Sequence, residues 1–143
     1  MQFEYGLMSD KVIYRPVSRQ AGILNIYKEG EIIVITPLEE TALEVRDIIN
    51  IRAIAKKLCP NQKQLFLTDT QGQYLSISNR ARKFISESNG VDDNRLAEAY
   101  VTDSLPMRIM VNHYVNANQP ENPIKTFDSK EDAKTWLLGV FEN

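Results

Sequence analysis

The side chains that could do chemistry in this 143-residue sequence are few and are spread along the chain. His113 is the only histidine and Cys59 the only cysteine. A general base needs a nucleophile beside it and a metal ion needs several ligands, so a lone histidine predicts neither. A lone cysteine excludes an internal disulfide and a cysteine-rich metal site. We therefore expect no catalytic residue, no metal and no cofactor, with His113 and Cys59 in ordinary structural or surface roles.

Two aspartates and a serine follow segments that the sequence predicts as strands. Asp69 follows the apolar residues 65–67, and Asp103 and Ser104 follow residues 97–101. The carboxyl ends of parallel strands meet at one edge of a sheet, where ligands bind in open α/β folds. The same residue types also cap helices and shape turns. Two interpretations are therefore open, a strand-end crevice formed by Asp69, Asp103 and Ser104, or ordinary capping, which is the commoner use.

Basic residues are concentrated in one predicted helical turn. Arg80, Arg82 and Lys83 lie there, while Arg95 and Arg108 are elsewhere. They suit either a small anion-binding patch or a solvated helix face. The sequence contains no glycine-rich phosphate loop, no Gly-x-Ser-x-Gly elbow and no His-Glu-x-x-His motif. We therefore expect the protein not to be an enzyme.

The composition is typical of a globular protein, with 43% hydrophobic and 25% charged residues. A formal net charge of −2 gives no electrostatic reason to expect nucleic acid or an anionic membrane. No apolar run approaches the roughly 20 residues that span a bilayer. Residues 1–5 lack the basic start and apolar block of a signal peptide. We expect one cytoplasmic domain over residues 1–143, with no nucleic acid partner and no membrane insertion.

The elements that must position these side chains begin with antiparallel strands. Residues 11–14 predict a weak strand, and residues 23–27 and 31–35 are rich in β-branched and aromatic types. Between the last two, Lys28-Glu29-Gly30 predicts a tight turn and hence a hairpin. The sheet is therefore expected to have an antiparallel edge near the N-terminus.

The hydrophobic period then changes to that of a helix. Thr36-Pro37-Leu38-Glu39 predicts a helix start, with a threonine cap and proline at the first helical position, and the helix ends before Pro60. Strands and helices alternate afterwards: strand 65–67, a helix capped by Ser78 that stops at Asn89-Gly90, strand 97–101, a helix after Ser104, strand 123–127, and a helix from Asp128. This order predicts right-handed crossovers. We expect an α/β fold, a mixed, mostly parallel sheet with an N-terminal antiparallel hairpin, covered by about four helices.

Several stretches resemble the SpoIIAA-like, STAS-domain superfamily, and more closely a bacterial group of short SpoIIAA-like proteins. They cover about the C-terminal half and comprise residues 67–69, 77–84, 97–99, 103–104, 123–127, 133 and 136–137. The resemblance implies a mixed sheet with helices packed on it. It also implies a non-enzymatic regulatory role exerted through a protein partner or a homodimer.

The resemblance further implies a phospho-switch or partner contact at Ser76 and Ser78. STAS domains of the anti-sigma-factor-antagonist type bind a kinase and are switched by phosphorylation of a serine at a helix start. Ser78 is the most similar position here, and a helix N-terminus stabilises a phosphate. The family has Asp-Ser-Ser-Gly where this chain has Ile77-Ser78-Asn79-Arg80, so a plain helix cap at Ser78 is the competing interpretation.

Lipid-binding Sec14 domains are similar in sheet topology and provide the alternative. They hold a hydrophobic ligand under a helix, and Met107, Ile109, Met110 and Tyr114 could line such a cavity. The same residues suit a crossover helix that only covers the sheet. A small hydrophobic molecule or lipid is therefore the alternative ligand.

Overall fold

The computed structural model describes residues 3–5, 11–17, 22–60, 63–87, 95–118 and 122–142. These residues form nine strands and four helices. The strands are β1 (Phe3–Tyr5), β2 (Lys11–Tyr14), β3 (Leu24–Glu29), β4 (Ile32–Pro37), β5 (Thr41–Leu43), β6 (Gln64–Asp69), β7 (Leu75–Ile77), β8 (Arg95–Val101) and β9 (Ile124–Phe127). The helices are α1 (Val45–Leu58), α2 (Asn79–Glu87), α3 (Leu105–Asn118) and α4 (Lys130–Glu142).

Seven strands form one mixed sheet in the order β1-β2-β3-β4-β6-β8-β9. From β1 to β4 the neighbours are antiparallel, and from β4 to β9 they are parallel. The turn between β3 and β4 contains Gly30 with φ of 58°, in the left-handed region that glycine adopts without strain. The predicted α/β fold, with its antiparallel hairpin and four helices, is confirmed.

The predicted helix start at Thr36 is wrong. β4 continues to Pro37, which lies opposite Leu24, and β5 then pairs in parallel with β7 in a separate two-stranded sheet. Pairing with strands distant in sequence overrides the local start signal, and α1 begins only at Val45. The three-residue strands β1 and β7 are too short to show a period and were not predicted. The expected stop of α2 at Asn89-Gly90 lies outside the described residues.

Both faces of the sheet are packed against helices. On one face, Ile33 and Phe66 belong to a cluster with Ile51 and Ile54 of α1 and with residues of α2 and α3. On the other face, α4 covers β6 and β8 through a second cluster that contains Leu65, Leu67, Ala97, Ala99, Ala133 and Leu137. The alanines of β8 leave room for α4 to approach the sheet closely. Burial on both faces explains why the central strands β4 and β6 are nearly continuous apolar runs.

A buried hydrogen-bond network joins β2 to the start of α1. Asp47 has no exposed surface, and its carboxylate accepts hydrogen bonds from the Tyr14 hydroxyl at 2.6 Å and from the Val17 and Glu44 amides, both at 2.8 Å. The side-chain amide of Asn50 donates to the Tyr14 oxygen at 3.0 Å. Burial, and then the bond to Asp47, raise the pKa of Tyr14. Tyr14 therefore remains a protonated donor at neutral pH.

Candidate functional site

The parallel strands end together at one edge of the sheet, here called the strand-end edge (residues 38–40, 69–74, 102–105 and 128–129). Hydrogen bonds join its loops to each other. The Thr70 amide and hydroxyl both donate to the Val101 carbonyl, at 2.8 and 3.0 Å. The side-chain amide of Gln71 donates to the Asp128 carbonyl at 3.1 Å. These bonds connect the loop after β6 to the end of β8 and to the loop after β9.

The structure places Asp69, Asp103 and Ser104 at the strand-end edge, because β6 and β8 are neighbouring parallel strands. Their contacts are mostly local. The Asp69 carboxylate accepts the Gln71 amide at 3.1 Å, as in a turn, and the Ser104 hydroxyl accepts the Met107 amide at 3.3 Å, which caps α3. Asp103 is exposed. The three residues thus share an edge, and two of them also stabilise the backbone there.

Arg108 and Asp128 form a charged pair at this edge that the sequence reasoning missed. The Arg108 guanidinium donates to the Thr102 carbonyl at 3.2 Å and to the Asp128 carboxylate. The pairing of β8 with β9 brings them together although 20 positions separate them. One sequence signal could have placed Asp128 at this edge: it follows the predicted strand 123–127, just as Asp103 follows the predicted strand 97–101.

Exposed apolar side chains occupy the strand-end edge between carboxylates. Leu38, Tyr74 and Leu105 are 50, 49 and 66% exposed, and Ile109, one helical turn after Leu105, is 58% exposed. The loops also carry five acidic residues: Glu39, Glu40, Asp69, Asp103 and Asp128. Two basic residues lie close to these carboxylates: Arg108 contacts Asp128, and Lys130 lies near Asp69. The strand-end edge therefore combines exposed apolar side chains with carboxylates.

Ser76 and Ser78 belong to a different part of the fold, the β5–β7 pair and the start of α2. Ser76 lies in β7, opposite Ala42 of β5. The Ser78 hydroxyl accepts the Ala81 amide at 3.1 Å and so caps α2, while the Ser78 amide donates to the Leu43 carbonyl at 3.1 Å. Both serines are half-buried.

The basic residues that suggested an anion-binding patch are spread over three elements. Arg80 and Lys83 are exposed on α2. Arg95, on β8, pairs with Glu98 at 2.9 Å, and both side chains are only 14% exposed. Arg108 lies on α3 at the strand-end edge. Arg82, also on α2, is half-buried and donates to the Asn79 side chain, so the five cations do not form one patch.

The two candidate reactive side chains lie apart from the strand-end edge. His113 is exposed on α3, and Cys59 is buried directly after α1. Burial raises the pKa of the Cys59 thiol, which disfavours the reactive thiolate. Within the described ranges, no group of three or more His, Cys, Asp or Glu could hold a metal ion. None of the helices in that part of the chain is long and apolar enough to cross a membrane.

A small cavity lies between α2, α3 and β8. It is lined by Met107, Met110 and Tyr114 of α3, with Tyr100 on the sheet side, and has a volume of about 30 Å³. A second cavity of about 60 Å³ shares Tyr100 in its lining and extends under α1. Ile109, expected to line such a cavity, instead faces solvent. These volumes fit a few water molecules, whereas small-molecule sites occupy roughly 300–1,000 Å³.

Comparison with known proteins places the chain by family and by fold. A family model described as a domain of unknown function (DUF7793) matches residues 26–140. No curated protein matches the sequence. A crystal structure of an uncharacterized protein of the DUF3478 family from Shewanella loihica PV-4, with a SpoIIAA-like fold, is similar with a TM-score of 0.54 and 14% identity. The similarity covers 86% of this chain and 99% of that one. The predicted resemblance is confirmed as a SpoIIAA-like fold.

Proposed function

Because the chain belongs to the DUF7793 family of domains of unknown function and has a SpoIIAA-like fold, we propose that it is a non-enzymatic regulatory module that binds a protein partner. The observation that carries this proposal is the apolar surface at the strand-end edge. Leu38 directly follows β4, Tyr74 ends the loop between β6 and β7, and Leu105 begins α3, along which Ile109 lies one turn further on. Large apolar side chains grouped on a surface mark protein contact sites.

The charges around this surface define the chemistry of the partner. The five carboxylates of the strand-end edge favour a contact surface that combines apolar side chains with lysine or arginine. They repel polyanions, so nucleic acid and anionic membranes are unsuitable partners. The partner we infer is therefore a cytoplasmic protein with a basic and apolar contact surface.

Replacing Leu105 and Ile109 together by serine should weaken binding of this partner at least 10-fold, because apolar anchors carry most of the energy of an interface. A photo-crosslinking amino acid at position 105 identifies the partner in the native host. Calorimetry with the purified partner then measures the affinity of each variant. Circular dichroism verifies that the double variant is folded.

A matched control is available on α4. Leu138 and Phe141 are 39 and 40% exposed on the helix that covers the opposite face of the sheet. Serine at both positions should leave the affinity unchanged. If the two double variants lose the same amount of partner affinity, or if neither loses any, docking at the strand-end edge is contradicted. Failure of position 105 to crosslink any protein contradicts the proposed function itself.

We further propose that phosphorylation at Ser78, or at the neighbouring Ser76, regulates partner binding. The Ser78 hydroxyl already accepts an amide at the start of α2, and a phosphate there can accept the same kind of bond with added charge. A new dianion beside the β5–β7 pair changes the local electrostatic field. This regulation rests on the resemblance to STAS domains and on the position of Ser78.

Replacing Ser78 by alanine should lower the free energy of unfolding by about 1 kcal/mol, because α2 loses its cap. Aspartate at the same position also caps a helix, so Ser78→Asp should stay within about 0.5 kcal/mol of wild type. Urea denaturation measures both. If Ser78 is also a switch, protein from the native host carries phosphate on Ser76 or Ser78, and Ser78→Asp changes partner affinity. Unmodified serines together with an unchanged affinity argue against the switch.

The cavity under α3 favours a second candidate, a carrier of a small hydrophobic molecule or lipid. Met107, Met110 and Tyr114 give it an apolar lining. Its volume suits only a few water molecules, so a lipid requires α3 to move away from the sheet. Lipid in a solvent extract of protein purified from the native host would support this candidate over the first.

A further inference from the structure

β9 is the last strand of the sheet and has one unpaired side in the described structure. On its other side, β9 accepts hydrogen bonds from β8 and the residue that follows it. The Glu98 amide donates to the Pro123 carbonyl at 3.0 Å, and the Thr102 amide donates to the Phe127 carbonyl at 3.1 Å. Carbonyl groups alternate sides along a strand, so the main-chain groups of Ile124 and Thr126 point away from β8. β9 therefore presents two amides and two carbonyls along its outer edge.

A groove of about 460 Å³ lies beside the first part of this edge, at residues 122–125. Val115 of α3 lines it on one side and Trp136 of α4 on the other, with Ile124 and Lys125 of β9 between them. The groove thus gives an extended segment both hydrogen-bonding groups and flanking apolar side chains. It is separate from the strand-end edge, whose residues do not line it.

Lys125 sets the charge preference of this edge. Its side chain is exposed, and its ammonium lies 5.5 Å from the centre of the Phe127 ring, on the face of the sheet that α4 covers. Opposite an incoming antiparallel strand, Lys125 occupies the position between the two hydrogen-bonded pairs, where facing side chains approach most closely. An acidic side chain at the facing position is attracted, and a basic one is repelled.

A second copy of this chain is a poor occupant of the groove. In a symmetric antiparallel pair of two β9 strands, Ile124 of each copy lies opposite Thr126 of the other. All outward main-chain groups of both strands are then hydrogen-bonded. That register sets Lys125 directly opposite Lys125, and like charges in this position are destabilising. A lysine in an edge strand is a common barrier to such self-pairing.

We propose that β9 binds an extended segment of another protein as an added antiparallel strand, with Asp or Glu opposite Lys125 and apolar residues on either side of it. The main-chain groups of Ile124 and Thr126 supply the binding energy that is independent of sequence. Lys125 supplies the charge selectivity, and Val115 and Ile124 accept the apolar side chains. This binding goes beyond the proposed function, because it uses a different surface and a partner of opposite charge.

The test uses two synthetic peptides, acetyl-Thr-Val-Glu-Val-Thr-amide and the same peptide with lysine in place of glutamate. NMR titration should shift the amides of Ile124 and Thr126 and the indole of Trp136. The glutamate peptide should bind roughly 5-fold more tightly than the lysine peptide. Lys125→Glu should reverse this preference, which a merely structural role of Lys125 does not predict.

Thr126→Pro provides the second variant. Proline removes an outward amide that the bonds to β8 do not need, so the fold should persist and peptide binding should be lost. The proposal is overturned if Thr126→Pro still binds the peptides. It is also overturned if wild type and Lys125→Glu each bind the glutamate and lysine peptides with equal affinity. A wild-type dimer that Thr126→Pro converts to a monomer in light scattering identifies a second copy as the occupant and also overturns it. The double serine variant at positions 105 and 109 should bind the peptides normally, which separates this test from that of the proposed function.

Discussion

Replacing Asp47 by alanine should lower the free energy of unfolding by about 3–5 kcal/mol. Its carboxylate is fully buried and accepts the Tyr14 hydroxyl and the amides of Val17 and Glu44. Alanine leaves these donors without their acceptor, and each unsatisfied buried donor costs about 1–3 kcal/mol. Urea denaturation followed by circular dichroism measures the change.

Two further variants locate the cause of that loss. Asp103→Ala removes the same side chain at an exposed site and should change stability by less than about 0.5 kcal/mol. Asp47→Asn keeps one acceptor oxygen and should fall between Asp47→Ala and wild type. A change below about 1 kcal/mol in Asp47→Ala would show that water replaces the carboxylate, against the buried network described above.

Replacing Glu98 by alanine should lower the free energy of unfolding by about 3 kcal/mol, because it removes the carboxylate from a largely buried ion pair with Arg95. Both side chains are 14% exposed, so solvent screens the pair only weakly. The Arg95 guanidinium also donates to the Ile85 carbonyl at 3.5 Å, a neutral acceptor. Thermal and urea denaturation report the loss.

The double variant Arg95→Met and Glu98→Leu distinguishes a charge effect from a packing effect. It removes both charges and fills the space with apolar atoms, so it should be more stable than Glu98→Ala alone. Glu87→Ala, which breaks the exposed pair with Lys83, should change stability by less than about 0.5 kcal/mol. If the double variant is less stable than Glu98→Ala, the cost lies in packing and the charge argument is wrong.

Local sequence patterns predicted most of the fold where burial alone decides the structure. β4 and β6 are covered on both faces, and their apolar runs are visible in the sequence. The predicted helix start at Thr36 is wrong because pairing with distant residues, and not local burial, decides the structure there. Its start motif is a local signal, whereas the pairing of Thr41 with Leu75 joins residues that are far apart in sequence. No local pattern contains that pairing.

The same distinction holds for the candidate site. The shared edge of Asp69, Asp103 and Ser104 follows from parallel pairing, which the order of elements predicts. The exposure of Leu105 and Ile109 does not follow, because an apolar helical stripe ordinarily predicts a buried face. Arg108 and Asp128 meet only after β8 and β9 have paired. Contacts between side chains distant in sequence had to come from the structure.

The division of the sheet into an antiparallel and a parallel half has a consequence for the order of folding. In the hairpin, Glu29 lies opposite Ile32, so β3 and β4 can pair by closing a very short loop. Ile32 pairs with Leu65, Leu65 with Ala97 and Glu98 with Ile124, so every parallel crossover of this sheet closes a much longer loop. Because chain entropy opposes long closures, the antiparallel half is the natural nucleus. We therefore expect β4 to form early with the hairpin, and β6, β8 and the outer strand β9 to join it later in folding.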